Sequence, residues 1–146
     1  MKLADLAAEY IAKESATGLF VPDEAVGQSL IEATRFYAGF AAMKDPAAAV
    51  DEDGVLDPAV ITDQIDVTAG EWALIRPLFI LYVEMQGAKV IEASRGVGLE
   101  PLGRTTSEIA ADIKVVEDNM GFVAFSEDCF TVGIPDVWPP LPCTWP

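Results

Sequence analysis

The stretch Thr68-Ala-Gly-Glu-Trp-Ala-Leu-Ile-Arg-Pro-Leu-Phe-Ile-Leu-Tyr-Val83, with its continuation to Gly98, decides how this chain folds. Thr68 and Glu71 have the spacing of a capping box, in which each side chain accepts a hydrogen bond from the backbone N–H of the other residue. The sequence therefore predicts a long helix that starts at Thr68. Its apolar residues occupy two adjacent faces, so we expect it to form the centre of the core.

The first half of this helix is apolar over a wider arc than one neighbouring helix can cover. We therefore expect neighbouring subunits to supply part of the cover for the rings of Trp72, Phe79 or Tyr82. The second half carries charged residues on its outer side. Gly96 or Gly98 should provide the left-handed C-cap that ends the helix.

Two amphipathic helices are predicted before the central one. Apolar residues at helical spacing indicate a short helix over residues 3–15, which Gly18 ends. Asp23 and Glu24 place negative charge at the start of a second helix, where the helix dipole favours it, and this helix should run to about Met43. Its buried stripe should comprise Val26, Leu30, Ala33, Tyr37, Phe40 and Ala41.

A second capping box, at Thr105 and Glu108, predicts a fourth helix from Thr106 to Met120. Gly121 should end this helix. Its apolar stripe consists of Ile109, Ile113, Val116 and Met120. The predicted fold is thus mainly α, a small bundle of about four helices around the long central helix, followed by a short β or extended segment and an extended C-terminal arm.

The segment that follows Gly121 contains two short apolar runs. Phe122–Phe125 and Phe130–Ile134 are rich in β-branched and aromatic residues, which is consistent with two short strands around a turn at Ser126-Glu127-Asp128. An extended arm is an equally good interpretation.

The last twelve residues, Pro135–Pro146, form a segment of different composition, so we divide the chain into a helical domain over 1–134 and an arm over 135–146. Proline excludes regular helix here and favours the extended polyproline II conformation. A stiff backbone that carries tryptophan suits a docking peptide, because little entropy remains to be lost on binding. The tail either docks on a partner or folds back over its own subunit. The predicted contact residues are Trp138, Pro139, Pro140, Leu141 and Trp145.

The charge of the chain restricts its partners. The 146 residues, about one domain, carry nine basic and 24 acidic side chains, a net charge of -15, and 51% of them are hydrophobic. Ordinary nucleic-acid binding needs clustered Lys and Arg, which are missing here. The acidic charge either keeps an apolar protein soluble, repels DNA that slides through a passage, or imitates DNA.

An acidic loop precedes the central helix. Asp51, Glu52 and Asp53 stand before Gly54, and no basic residue occurs between Lys44 and Arg76. Asp51, Asp53 and Asp57 alternate around this glycine as calcium ligands might, but Gly54 is at the fourth position instead of the sixth and Thr62 replaces the bidentate Glu at the twelfth, so the EF-hand spacing fails. A solvated turn without metal is the favoured interpretation, and this loop is our candidate for a surface that faces DNA.

The residues needed for common enzyme chemistry are missing. The chain has no histidine, and Cys129 and Cys143 have neither CxxC nor metal-ligand spacing. We therefore expect no catalytic residue, no cofactor and no small-molecule substrate. The longest apolar run, Pro77–Val83, is too short to span a bilayer, and the N-terminus lacks the apolar region of a signal peptide, so synthesis in the cytoplasm without membrane association is expected.

Three segments together resemble a known family. They are Glu-Trp-Ala-Leu-Ile-Arg-Pro-Leu-Phe at Glu71–Phe79, Glu-Ala-Ser-Arg-Gly-Val-Gly at Glu92–Gly98, and Gly-Arg-Thr-Thr-Ser-Glu-Ile-Ala-Ala-Asp at Gly103–Asp112. In order and character they are similar to the head-to-tail adaptors of tailed bacteriophages, also called head completion or neck connector proteins. The likeness extends to a long central helix, an acidic loop and an extended C-terminal arm.

The resemblance implies a structural virion protein. Such adaptors form a ring, usually of twelve subunits, between the portal protein and the tail or collar proteins, and genomic DNA passes through it without sequence-specific binding. The arm Pro135–Pro146 would grip the portal, and the loop at Asp51, Glu52 and Asp53 would face the DNA. The alternatives are an acidic DNA mimic that inhibits a host nucleic-acid-binding protein, or another ring component of the neck or tail.

Overall fold

A computed structural model of the protein describes residues 1–14, 21–41, 43, 45, 61–94 and 103–127. Within these residues the fold is mainly helical, as predicted, and contains no β-sheet. The four helices are α1 Leu3–Glu14, α2 Asp23–Ala38, α3 Ala69–Ser94 and α4 Thr106–Glu127. None of these helices combines the length and the apolar character needed to cross a membrane.

The longest helix, α3, is the centre of the bundle. It packs against both α2 and α4, while α1 packs on α2. Ile75, Leu78 and Phe79 of α3 have no exposed surface. The ring of Phe79 meets the ring of Tyr10 edge-on, with 4.9 Å between the centroids. Helices of the same chain thus cover the buried part of the apolar face predicted for the first half of α3, while Trp72, Leu74 and Tyr82 keep some exposed surface.

Both predicted capping boxes are confirmed. At the start of α3, the Thr68 N–H donates to Glu71 Oε2 over 2.7 Å, and the Glu71 N–H donates to Thr68 Oγ1 over 3.4 Å. At the start of α4, the Thr105 N–H donates to Glu108 Oε2 over 2.9 Å. The first box lies in the core, because Glu71 is only 4% exposed, whereas Glu108 is exposed.

Side chains also fix the end of α3 to the start of α4. Glu92 accepts hydrogen bonds from the backbone N–H and the hydroxyl of Thr106, each over 3.0 Å. Arg104, which precedes α4, forms ion pairs with Glu84 on α3 and Asp112 on α4. These contacts hold the two helices together at the end where the connection between them lies.

The segment before α3 anchors α1. The Leu3 N–H donates to the Ile65 carbonyl over 3.1 Å and the Ala4 N–H donates to the Asp63 carbonyl over 2.9 Å. Two of the first N–H groups of α1, which have no partner within their own helix, are therefore satisfied by a segment about sixty residues away. Ile61, Ile65 and Val67 of this segment are buried in the core.

The second helix ends earlier than predicted. It stops at Ala38, and the N–H of its C-cap residue, Gly39, bonds back to the carbonyls of Arg35 and Phe36. Because helical periodicity is lost after Ala38, the prediction that Phe40 belongs to the buried stripe is wrong. Phe40 is 45% exposed, while the rest of the predicted stripe is buried.

The fourth helix continues past its predicted end. Gly121 lies inside α4, which continues to Glu127, so the strand predicted at Phe122–Phe125 and the turn predicted from Ser126 are wrong. The continuation has a packing reason, because the buried stripe of α4 extends from Met120 to Ala124, which is 1% exposed. Gly121 reflects a close contact with a neighbouring ring rather than a helix stop.

Several predicted features lie outside the described residues. These are Gly18, Gly96, Gly98, the acidic loop at Asp51, Glu52 and Asp53, Cys129, the run Phe130–Ile134 and the arm Pro135–Pro146 with Cys143.

Candidate interaction surface

The C-terminal helix α4 is apolar on two opposite sides. One side packs on α3 through buried and half-buried residues, namely Ile109, Ile113, Val116, Met120 and Ala124. On the other side Val115 is 58% exposed and Phe122 is 80% exposed. These two residues are seven positions apart, so they lie on the same side of the helix, two turns from each other. This outer face has no covering element among the described residues.

A cleft between α2 and α4 adjoins this outer face. It has a volume of about 540 Å³, and we call it the aromatic cleft. The described residues that line it are Phe36, Phe40, Glu117, Asp118, Gly121 and Phe122. The rings of Phe36 and Phe40 are tilted by 56° with their centroids 5.2 Å apart, and they form one wall.

Gly121 allows the two helices to approach at this cleft. A Cβ atom at position 121 would lie 3.1 Å from Cε1 of Phe40, which is closer than side chains normally pack. A larger residue here would displace the Phe40 ring. The glycine therefore shapes the aromatic cleft, a role that only the spatial position of Phe40 reveals.

The rim of the aromatic cleft is acidic. Glu117 accepts a 2.8 Å hydrogen bond from the hydroxyl of Tyr82 on α3, and Asp118 is exposed beside it. Burial, followed by this hydrogen bond, raises the pKa of Tyr82 above its ordinary value. No basic residue is among the described residues that line the cleft. It can therefore accept apolar groups and hydrogen-bond donors.

A second groove lies on the other side of α4, against α3. Its volume is about 230 Å³, and Leu74, Pro77, Val116, Met120 and Val123 supply most of its apolar lining. Together with the aromatic cleft, this groove means that the C-terminal half of α4 is bordered by open apolar surface on both flanks. Such a surface is typical of a protein that binds other proteins.

A third cleft, of about 410 Å³, lies between α1 and α3, and its described lining is largely charged. The partly exposed ring of Trp72 lies there next to Arg76. Of the three rings that we expected neighbouring subunits to cover, Phe79 is fully buried by its own chain, so the expectation is wrong for that residue. Trp72 and Tyr82 keep exposed surface.

The sequence did not reveal the aromatic cleft. All of the predicted contact residues, Trp138, Pro139, Pro140, Leu141 and Trp145, lie outside the described residues, as does the acidic loop. The one sequence feature that could have indicated the cleft is the small residue Gly121 next to the aromatic Phe122. We interpreted Gly121 as a helix stop instead. Among the described residues, no group of three potential ligand side chains could hold a metal ion.

Comparison of the chain with models of protein families, with curated proteins and with solved structures gives no match.

Proposed function

We propose that the protein is a structural adaptor of a tailed-phage neck, which assembles into a ring, joins the portal to the tail and surrounds the passage of the DNA. The observation that carries this proposal is the exposed apolar outer face of α4 at Val115 and Phe122. Burial of such a face between copies is the usual reason for its presence. The resemblance of the central and fourth helices to neck adaptors is the reason why we propose a neck ring rather than another kind of assembly.

The acidic charge supports the same proposal. With 24 acidic and nine basic residues, most faces of a ring would repel the phosphate backbone, so DNA would pass without being held. The loop at Asp51, Glu52 and Asp53 is our candidate for the surface that lines the passage. The arm at Pro135–Pro146 is our candidate for the contact with the portal, with Trp138 and Trp145 as its anchors.

The test is native mass spectrometry of the full chain, alone and mixed with the portal protein of the same virus. We expect a closed ring, about twelve subunits in size, that forms alone or on the portal. Val115→Asp should reduce the ring population at least about tenfold, because it places a charge in an apolar contact. Val90→Asp is the matched control, since Val90 is a similarly exposed valine on α3, 47% exposed, and should leave the ring intact.

Two results together would refute the proposal. One is a chain that stays monomeric both alone and with the portal. The other is normal virion assembly after deletion of Pro135–Pro146. Salt-sensitive binding to a basic host protein, in competition with DNA, would instead identify an acidic DNA mimic.

A further inference from the structure

The aromatic cleft has apolar walls that are exposed among the described residues, so a ligand that covers them would be stabilised by their burial. Of its aromatic wall residues, Phe40 is 45% and Phe122 is 80% exposed. Its volume of about 540 Å³ is in the range of about 300–1,000 Å³ that suits a short peptide segment or a small ligand. The acidic rim limits the occupant to groups that are apolar or donate hydrogen bonds.

The chain itself supplies a segment with this chemistry. Trp138-Pro139-Pro140-Leu141 contains only apolar side chains and an indole N–H that donates but cannot accept a hydrogen bond. Segments rich in proline bind grooves lined with aromatic residues, because the polyproline II conformation presents stiff apolar surface at low entropic cost. The carboxylate of Asp118 on the rim is an acceptor for the indole N–H.

The covalent connection also favours this occupant. Phe122 is five residues before the end of α4 at Glu127, which corresponds to about 7.5 Å along the helix. Trp138 follows Glu127 by eleven residues, which can span up to about 36 Å when extended. The tail is therefore long enough to return to the cleft of its own chain, where its effective concentration is of the order of millimolar.

We propose that the aromatic cleft binds Trp138–Leu141 of its own chain in the unassembled subunit. The contact removes from water both the cleft walls and the tail side chains, which otherwise would be exposed at the same time. This contact between the cleft and the tail is separate from the contacts proposed for the ring and the portal, and it does not depend on the adaptor function. A partner that binds the tail must first displace it from the cleft.

The test uses the full chain with Trp138 as its only tryptophan, made by Trp72→Phe and Trp145→Phe. Acrylamide quenching of the emission then measures the exposure of Trp138. We expect quenching about threefold weaker in this chain than after Gly121→Leu, which fills the cleft, because a tethered contact of modest affinity is populated most of the time. Phe40→Ala should have the same effect by removing a wall, in case the leucine disturbs the helix.

Val90→Ala is the matched control, because Val90 is an exposed apolar residue of α3 that lines neither the cleft nor the outer face of α4. It should leave the quenching unchanged. Docking should strengthen at high salt, since Asp136 in the tail and the acidic rim repel each other at low salt.

Equal quenching in all variants would refute the proposal. Protection that disappears on dilution would also refute it, because it would assign the bound tail to a second copy. Protection of Trp145 instead of Trp138, in the corresponding single-tryptophan chain, would overturn the choice of segment. Ring formation is measured separately by mass, so failure of this proposal and failure of the adaptor function give different results.

Discussion

The hydroxyl of Tyr82 on α3 donates a 2.8 Å hydrogen bond to the carboxylate of Glu117 on α4. The bond ties the half of α4 that borders the aromatic cleft to the central helix. Glu117 is at the same time a lining residue of the cleft. The position of the cleft wall therefore depends on a polar contact with the core helix as well as on apolar packing.

Tyr82→Phe should lower the free energy of unfolding by about 1 kcal/mol, because it removes the donor of a half-buried hydrogen bond and leaves the ring in place. Chemical denaturation at neutral pH measures the loss. Tyr10→Phe is a suitable control, because Tyr10 is a half-buried tyrosine of α1 whose ring packs edge-on against Phe79. An unchanged midpoint in Tyr82→Phe would show that the bond contributes nothing in solution.

Alkaline pH should destabilise the protein through the same residue. The pKa of Tyr82 is raised in the folded state, by burial first and then by the bond to Glu117, relative to about 10 in the unfolded chain. Its contribution is therefore complete below about pH 10 and is lost as the pH rises towards the folded-state pKa. Burial also raises the pKa of Tyr10, so Tyr82→Phe should reduce the alkaline decline without abolishing it. Identical declines in both proteins would contradict this assignment.

The two capping boxes should differ in their importance. Glu71→Ala should cost about 2 kcal/mol of unfolding free energy, because it leaves the Thr68 N–H without an acceptor in a buried position. Glu108→Ala removes the equivalent acceptor at an exposed position, where water replaces it, and should cost clearly less. Thermal unfolding of the two variants in parallel provides the comparison. Equal losses would mean that burial does not set the strength of these caps.

The contact between Glu92 and Thr106 should couple α3 to α4. Glu92→Gln and Thr106→Val each remove part of the paired hydrogen bonds, so a double-mutant cycle should give a coupling energy of about 0.5–2 kcal/mol. Amide exchange at the first turn of α4 should increase in both single variants. Additive effects would indicate that the two residues act independently.

Gly121→Ala tests whether this glycine is a helix-interior residue. Alanine is favoured over glycine in a helix by about 1 kcal/mol, and the close contact of its Cβ would be with the ring of Phe40, which is 45% exposed and has room to shift outward. We expect a small net stabilisation of up to about 0.5 kcal/mol, seen as a higher denaturation midpoint. A loss of more than about 1 kcal/mol would show instead that the contact with Phe40 is rigid.

Features of the fold that depend on neighbouring residues were predictable from the sequence. The capping boxes at Thr68 and Thr105 involve residues three positions apart, so their spacing was sufficient evidence. The stripes of α2 and α4 were predicted for the same reason, up to the point where the helix boundary was misplaced.

Features that depend on distant residues were not predictable. Gly121 looks like a helix stop until Phe40, 81 positions earlier, is found against it. Phe40 itself fits the helical period of α2, but the chain leaves that period after Ala38. Both errors concern the aromatic cleft, and they have one cause: each is a misplaced helix boundary, and boundaries are the least certain part of a sequence-based prediction.

The anchoring of α1 by the segment 61–67 has a consequence for synthesis on the ribosome. Helix α1 is held by carbonyls of Asp63 and Ile65, which are made about sixty residues after it. At about 5–20 residues per second, α1 waits several seconds for these acceptors. During that interval α1 can pack only on α2, and its first N–H groups lack the carbonyls that hold them in the finished protein. The nascent chain thus completes the cover of Leu3 and Leu6 only after the segment before α3 has emerged.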